Sequence, residues 1–166
     1  MVPILSSSKS IRNTIRYNEV KVAAGVAKLL GEAWYGKDLQ DLTERDKVRR
    51  LADLALRNSR SKQSVFHLSL NFSNNDQLSE DQMFNIAHDY LDRIGLHKQP
   101  FLVYQHFDAG HPHIHVVSVR IRPSGDLIII HEPGHSILHT AQLEIEKKYG
   151  LEPPRRKHRE LLQLTP

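Results

Sequence analysis

The 166-residue chain contains no cysteine. That excludes disulfides, thiolate metal ligands and a cysteine nucleophile, and it suits a reducing compartment. Also missing is any apolar run approaching the roughly 20 residues of a membrane-spanning helix. The start, Met1-Val-Pro-Ile-Leu-Ser-Ser-Ser-Lys9, lacks the length and polarity order of a secretory signal. A soluble cytoplasmic protein is expected by elimination. Internal repeats and low-complexity segments are absent, and no heptad or apolar stripe suggests a dimer, so a monomer is expected.

What is present reads as one domain with enough chain for a sizeable core. Hydrophobic residues make up 39% and charged residues 25%, ordinary values for a globular protein. The net charge of +4 and pI near 9.4 favour polyanionic partners only weakly. Distribution says more. Basic residues gather at Lys9, Arg12 and Arg16, through residues 45–62, at Arg120 and Arg122, and through residues 155–159. For residues 45–62 a solvated helix face is an equally good reading.

Along the chain, residues 2–5 suit a short strand and residues 11–18 a helix with good capping residues before it. Residues 21–35 are ambiguous, interrupted by Gly25 and Gly31. Residues 43–58 form a strong helix with Val48, Leu51, Leu54 and Ala55 on one face. Residues 64–72 alternate as a strand, with Phe66, Leu68, Leu70 and Phe72 to one side. Ser79-Glu-Asp-Gln82 is a capping box opening a helix that Gly95 closes. Strands follow at 101–107, 113–121 and 127–131, the last pair joined by a Pro123-Ser-Gly125 turn. A final helix covers 136–149. The expected fold is α+β, a two-layer or sandwich arrangement around a mostly antiparallel central sheet.

The chemistry gathers in His106-Phe-Asp-Ala-Gly-His-Pro-His-Ile-His115. Alternate strand residues share a face, so His113 and His115 stand on one side about 7 Å apart. His106, near the end of the adjoining strand, can fold back over the turn to complete a trio, and Pro112 stiffens the approach. Three neutral imidazoles leave coordination positions open, the mark of a catalytic rather than a structural metal. Imidazoles suit Zn, Ni or Co as well as Mn, while phosphoryl chemistry favours Mn or Mg. Asp108 is expected to orient a ligand ring through its N–H, or to accept a proton. His111, in the turn, is expected to be exposed and outside the ligand set. His131, His135 and His139 form a second group, read as capping a helix, lining a cleft or facing solvent.

The pattern His106-x-Asp108-x-x-x-Pro112-His113-x-His115 resembles the third motif of DNA relaxases, the mobilisation nucleases of bacterial plasmids and integrative elements, within the HUH endonuclease superfamily. Ser10-Ile-Arg-Asn-Thr-Ile-Arg-Tyr17 resembles the first motif, and His67-Leu-Ser-Leu-Asn-Phe-Ser73 with the helix after it resembles the second. Glu144-Ile-Glu-Lys-Lys-Tyr-Gly-Leu151 is similar to the segment closing that domain. The resemblance implies a five-stranded antiparallel sheet with the histidines on central strands. It implies a strand-specific nickase in which Tyr17 attacks a phosphodiester at a transfer origin, leaving a 5′-phosphotyrosyl bond and a 3′-hydroxyl. A divalent metal on His106, His113 and His115 would serve that reaction, with Asp108 beside them. Lys9, Arg12, Arg16, Lys21, Ser73 and Arg120 would contact DNA. Single-stranded DNA and an origin hairpin are the implied ligands, with accessory mobilisation proteins and a coupling protein as partners. Residues 1–151 read as an isolated catalytic domain and 152–166 as a basic tail.

The chain departs from the pattern at Ala109-Gly110, where many relatives carry a threonine and a polar residue. Other readings stay open: a non-cutting origin-binding module, a rolling-circle replication initiator, or a metallohydrolase that activates water. The tyrosine precedes the histidines here, which argues against the initiator.

Overall fold

The computed structural model describes residues 1–130 and 137–154. Five strands make one antiparallel sheet: β1 (Val2–Ser8), β2 (Ala27–Ala33), β3 (Val65–Asn71), β4 (Phe101–His106) and β5 (His113–Val119). Their order across the sheet is β1-β3-β5-β4-β2. Four helices, α1 (Ile11–Ala23), α2 (Glu44–Ala55), α3 (Glu80–Arg93) and α4 (Ile137–Tyr149), flank it, so the expected α+β sandwich is what the chain forms.

The strand period of two sorts the side chains. Phe66, Leu68 and Leu70 of β3, with Ile114 and Val116 of β5, turn toward Met83, Ile86 and Tyr90 of α3 and Leu138, Ala141 and Ile145 of α4. On the opposite face Leu102 and Tyr104 of β4 and Val117 and Val119 of β5 pack against Ile15 of α1 and Leu51 and Leu54 of α2. The second cluster covers one end of its face. The other end holds the histidines.

Two helix starts are built as their sequences require. Ser79 accepts from the Gln82 amide while the Gln82 side chain returns to Ser79 N, so both halves of the capping box form. Thr43 and Asp46 make the same reciprocal pair at α2. Gly95 closes the α3 turn at φ +86°, a conformation costly for any residue with a Cβ.

Two expectations are corrected and one ambiguity is resolved. The first helix does not stop at residue 18 but runs to Ala23, because Asn18 lies buried against the sheet and Val22 still packs on the α1–α2 cluster. The ambiguous 21–35 segment divides at Gly25 (φ +74°), and its second half becomes β2. There Gly31 is needed for close approach, since a Cβ would stand 2.5 Å from the Phe84 ring. Residues 127–130 do not form the third strand of a meander. They make a single bridge, Leu127 to Ile121, beyond the 123–125 turn. Both edges of β5 are already taken, by β3 on one side and β4 on the other, so no ladder remains for a following strand to join. His131 and His135 of the second histidine group lie outside the described residues; His139 is exposed on α4.

Candidate active site

The β4–β5 hairpin brings the trio together. His106 ends β4 and His113 begins β5, directly opposite in the antiparallel register; His115 stands opposite Tyr104 on the same face. Rings of His106 and His115 stack at 4.0 Å between centroids, and His113 stands edge-on to both at 5.5 and 5.3 Å. One nitrogen from each ring lies within 4.8 Å of the other two.

Hydrogen bonds decide which nitrogens those are. Asn18 donates from Nδ2 to the Thr14 carbonyl at 2.9 Å, so its Oδ1 must accept from His106 Nε2 at 2.8 Å. That leaves the Nδ1 lone pair of His106 available. His113 Nδ1 donates to the His111 carbonyl at 3.2 Å, leaving its Nε2. His115 Nδ1 lies 2.9 Å from His67 Nε2. When His115 donates in that bond, its Nε2 is available too. His67 in turn has Ser6 Oγ 3.4 Å from its other nitrogen.

Burial disfavours a charge on His106, His115 and His67, since a charge there would lose its hydration. It pushes His106 down to about 4, with the Lys21 charge adding to the effect, and His115 down to about 3, with the neighbouring histidines adding to it. His67 is lowered by burial as well. Three imidazoles whose ligand nitrogens converge fit a borderline-soft divalent ion. The trio therefore can hold a metal.

Asp108 lies where it was expected but not in the bonding expected of it. Its Oδ1 is 3.8 Å from His106 Nδ1 and 3.7 Å from His113 Nε2, beyond hydrogen-bond range. Its hydrogen bond goes to Lys21 Nζ at 2.5 Å, and that ammonium holds its carboxyl below the usual range. Ring orientation falls instead to Asn18, His67 and the His111 carbonyl. His111 itself is exposed, with Nε2 donating to Asn71 Oδ1 at 2.9 Å.

Helix α1 supplies the opposite wall. Tyr17 is 47% exposed, with its ring 6.0 Å from His106 and 6.4 Å from His115. Lys21, one turn on, sets its ammonium 4.5 Å from the centre of the Tyr17 ring. Burial opposes the Lys21 charge, yet the Asp108 carboxylate and the nearby Tyr17 hydroxyl outweigh it and raise its pKa. The helix is tied down at Glu19, which accepts from Tyr104 Oη at 2.6 Å and pairs with Lys47 at 2.7 Å.

This arrangement places a phenol, a carboxylate and an ammonium around a ready-made cation seat. The model of the MobA/VirD2-like relaxase nuclease domain matches residues 17–151. The chain belongs to the relaxases. Membership brings DNA nicking of the mobilising kind, nuclease or transesterase chemistry in general, and single-stranded DNA as the ligand class. A search of curated proteins finds no match. No helix among the described residues of this relaxase is long and apolar enough to cross a membrane.

Of the residues singled out for DNA contact, only Lys21 enters the histidine cluster. Lys9, Arg12 and Arg16 are exposed around and along α1, and among the described residues their side chains make no ion pair or hydrogen bond. Ser73 follows β3 and hydrogen-bonds Glu152, in the wall of a cavity of about 480 Å³ that Asn71, Asn74 and His111 also line. Arg120 follows β5 at the end away from His113, a strand length of about 23 Å, and donates to the Gln63 carbonyl. The contacts of Asn18 and His67 with the trio were not foreseen in the sequence, although His67 opens the segment that resembles the second motif. A polar residue directly after the candidate tyrosine was the signal for Asn18. For His67 it was a histidine on the polar face of an alternating strand.

Proposed function

We propose that this relaxase nicks and rejoins one DNA strand at a transfer origin through a tyrosyl phosphodiester on Tyr17. The observation carrying the proposal is the half-exposed Tyr17 ring held about 6 Å from two of the three convergent imidazoles. In the forward step the Tyr17 oxygen gives up its proton and bonds to phosphorus, the bond from phosphorus to the 3′-oxygen breaks, and that oxygen takes up a proton to become the 3′-hydroxyl. Rejoining is the reverse. A phenol has an ordinary pKa near 10 and attacks poorly without help. When bound, a divalent ion would polarise the scissile phosphate and stabilise the charge that develops on it. His106, His113 and His115 would hold it; Mn or Mg is the expected choice, with Zn, Ni or Co also suited to imidazole.

The remaining residues position the reactants. Asn18 locks the nucleophile's helix to the first ligand, and Asp108 and Lys21 form a charged pair against the Tyr17 ring. Lys9, Arg12, Arg16 and Ser73 would track phosphates, contacts that position the strand without reading its sequence. Arg120 would need a strand reaching past the far end of β5. The origin hairpin, accessory mobilisation proteins and a coupling protein are the proposed partners.

The test uses Mn²⁺ and 3′-labelled single strands tiling the element that carries this relaxase. Label retained on the protein in a denaturing gel and lost in Tyr17→Phe is the expected result. Adduct persisting in Tyr17→Phe would overturn the nucleophile. Cleavage without adduct would point to water activation, and binding without cleavage to a non-cutting module.

A further inference from the structure

Lys21 stands against the same atoms that a metal would use. Its Nζ is 2.5 Å from Asp108 Oδ2 and 3.5 Å from His106 Nδ1. That histidine nitrogen is the one with a lone pair to give, because Nε2 is bound to Asn18. An ammonium carries three N–H donors and no acceptor. One donor meets the carboxylate and another lies toward the imidazole lone pair. The ammonium thus offsets the negative charge of Asp108 and covers the nitrogen that would ligate a metal. An ion taking that lone pair and a cation facing it cannot both hold it.

We propose that Lys21 competes with the divalent ion for His106 and Asp108, and that an entering ion drives its ammonium onto the phosphate beside Tyr17. The inference rests on the relaxase reading above and gives one of its residues a metal-linked role. Two features make the move feasible. The four-carbon lysine stem is flexible and its side chain is 21% exposed, so the head group can leave without moving α1. And Lys21 is one helical turn from Tyr17, so a displaced ammonium stays beside the nucleophile. Metal binding would then switch Lys21 from a partner of Asp108 to a partner of DNA.

The experiment measures free Mn²⁺ by its electron paramagnetic resonance signal in titrations of wild type, Lys21→Met and Lys21→Arg. It adds single-strand binding by anisotropy at several salt concentrations, with Mn²⁺ and with chelator. If the ammonium fills the seat about 70–90% of the time, removing it tightens the apparent Mn²⁺ affinity about three- to tenfold. Lys21→Arg stays near wild type. Lys21→Met should also weaken DNA binding when Mn²⁺ is present, with a salt slope reduced by about one, and hardly at all in chelator. Unchanged or weaker Mn²⁺ binding in Lys21→Met overturns the proposal. So does an equal loss of DNA affinity with and without metal, which marks a plain phosphate contact. Lys21→Gln replaces Lys21→Met if the latter loses its cooperative melt. His113→Ala separates the two levels: Mn²⁺ binding that His113→Ala abolishes and Lys21→Met leaves unmoved sinks only the competition. No Mn²⁺ binding by any form sinks the metal site itself.

Discussion

The two faces of β5 differ in what they ask of the same strand. Ile114 and Val116 point into a core closed by α3 and α4 and are inaccessible to solvent. His113 and His115, alternating with them, point to a face that α1 and α2 cover only at its other end. Imidazole nitrogens can be held in convergence on the open face because the closed one fixes the backbone beneath them. The larger apolar core lies on one side, and the chemistry lies on the other beside the smaller cluster under α1 and α2, and substitutions should separate the two.

Leu68→Ala, on the closed face of β3, should have the largest effect on stability. It empties a fully buried position and should cost about 2–5 kcal/mol in urea unfolding. Mn²⁺ affinity per folded molecule should stay at the wild-type value. A parallel loss of metal affinity would break the comparison.

Acid should act through the open face. In the unfolded chain both His106 and His115 take protons as the pH falls through their ordinary 6.5, whereas folded they resist down to about 4 and about 3. The unfolded state then binds more protons, so their contribution is fully present above pH 6.5 and declines below it. The decline is up to about 1.4 kcal/mol per pH unit for each ring. Metal-free melts between pH 7 and pH 4.5 should follow that slope, and His115→Asn should flatten it. A melting temperature independent of pH over that range would contradict the burial of these rings.

Asn18→Ala should weaken Mn²⁺ binding about ten- to a hundredfold by freeing the His106 ring from its partner. Stability should change much less than in Leu68→Ala; a comparable collapse would mean that Asn18 belongs to the structural side. The smallest effect is expected at an exposed helix start. Thr43→Ala removes one half of the α2 capping box and should cost about 1 kcal/mol without altering metal binding or adduct yield.

Much of this separation is legible in the sequence, and the exceptions have causes. The spacing of His113 and His115, and the apolar alternation of Phe66, Leu68 and Leu70, follow from the strand period alone, and the structure bears both out. The antiparallel sheet and its five strands were expected, but one strand was misassigned. Leu127-Ile-Ile-Ile130 carries stronger β-forming side chains than Ala27-Lys-Leu-Leu-Gly-Glu-Ala33. The weaker segment wins because β4 has a free edge and β5 has none. Local preference cannot report which edges are taken.

The site divides in the same way. The trio of histidines sits within ten residues, so it shows in a short window. Asn18 meets His106 across 88 positions, Lys21 meets Asp108 across 87 and His67 meets His115 across 48. Such pairings arise only when helix and sheet pack together. Asp108 shows the limit from the other side: its position beside the ligands could be foreseen, but its preference for a lysine from α1 could not.

The placement of β5 between β3 and β4 also bears on how the protein opens. Edge strands lose their pairing in small fluctuations, while a strand bonded on both sides is released only when a larger unit comes apart. Amide hydrogens of Ile114, Val116 and Val117 should therefore be among the slowest to exchange with solvent deuterium, and those of β1 and β2 among the faster. The two ligands carried by β5 would keep their spacing through fraying at either margin of the sheet, and lose it only when the fold as a whole gives way.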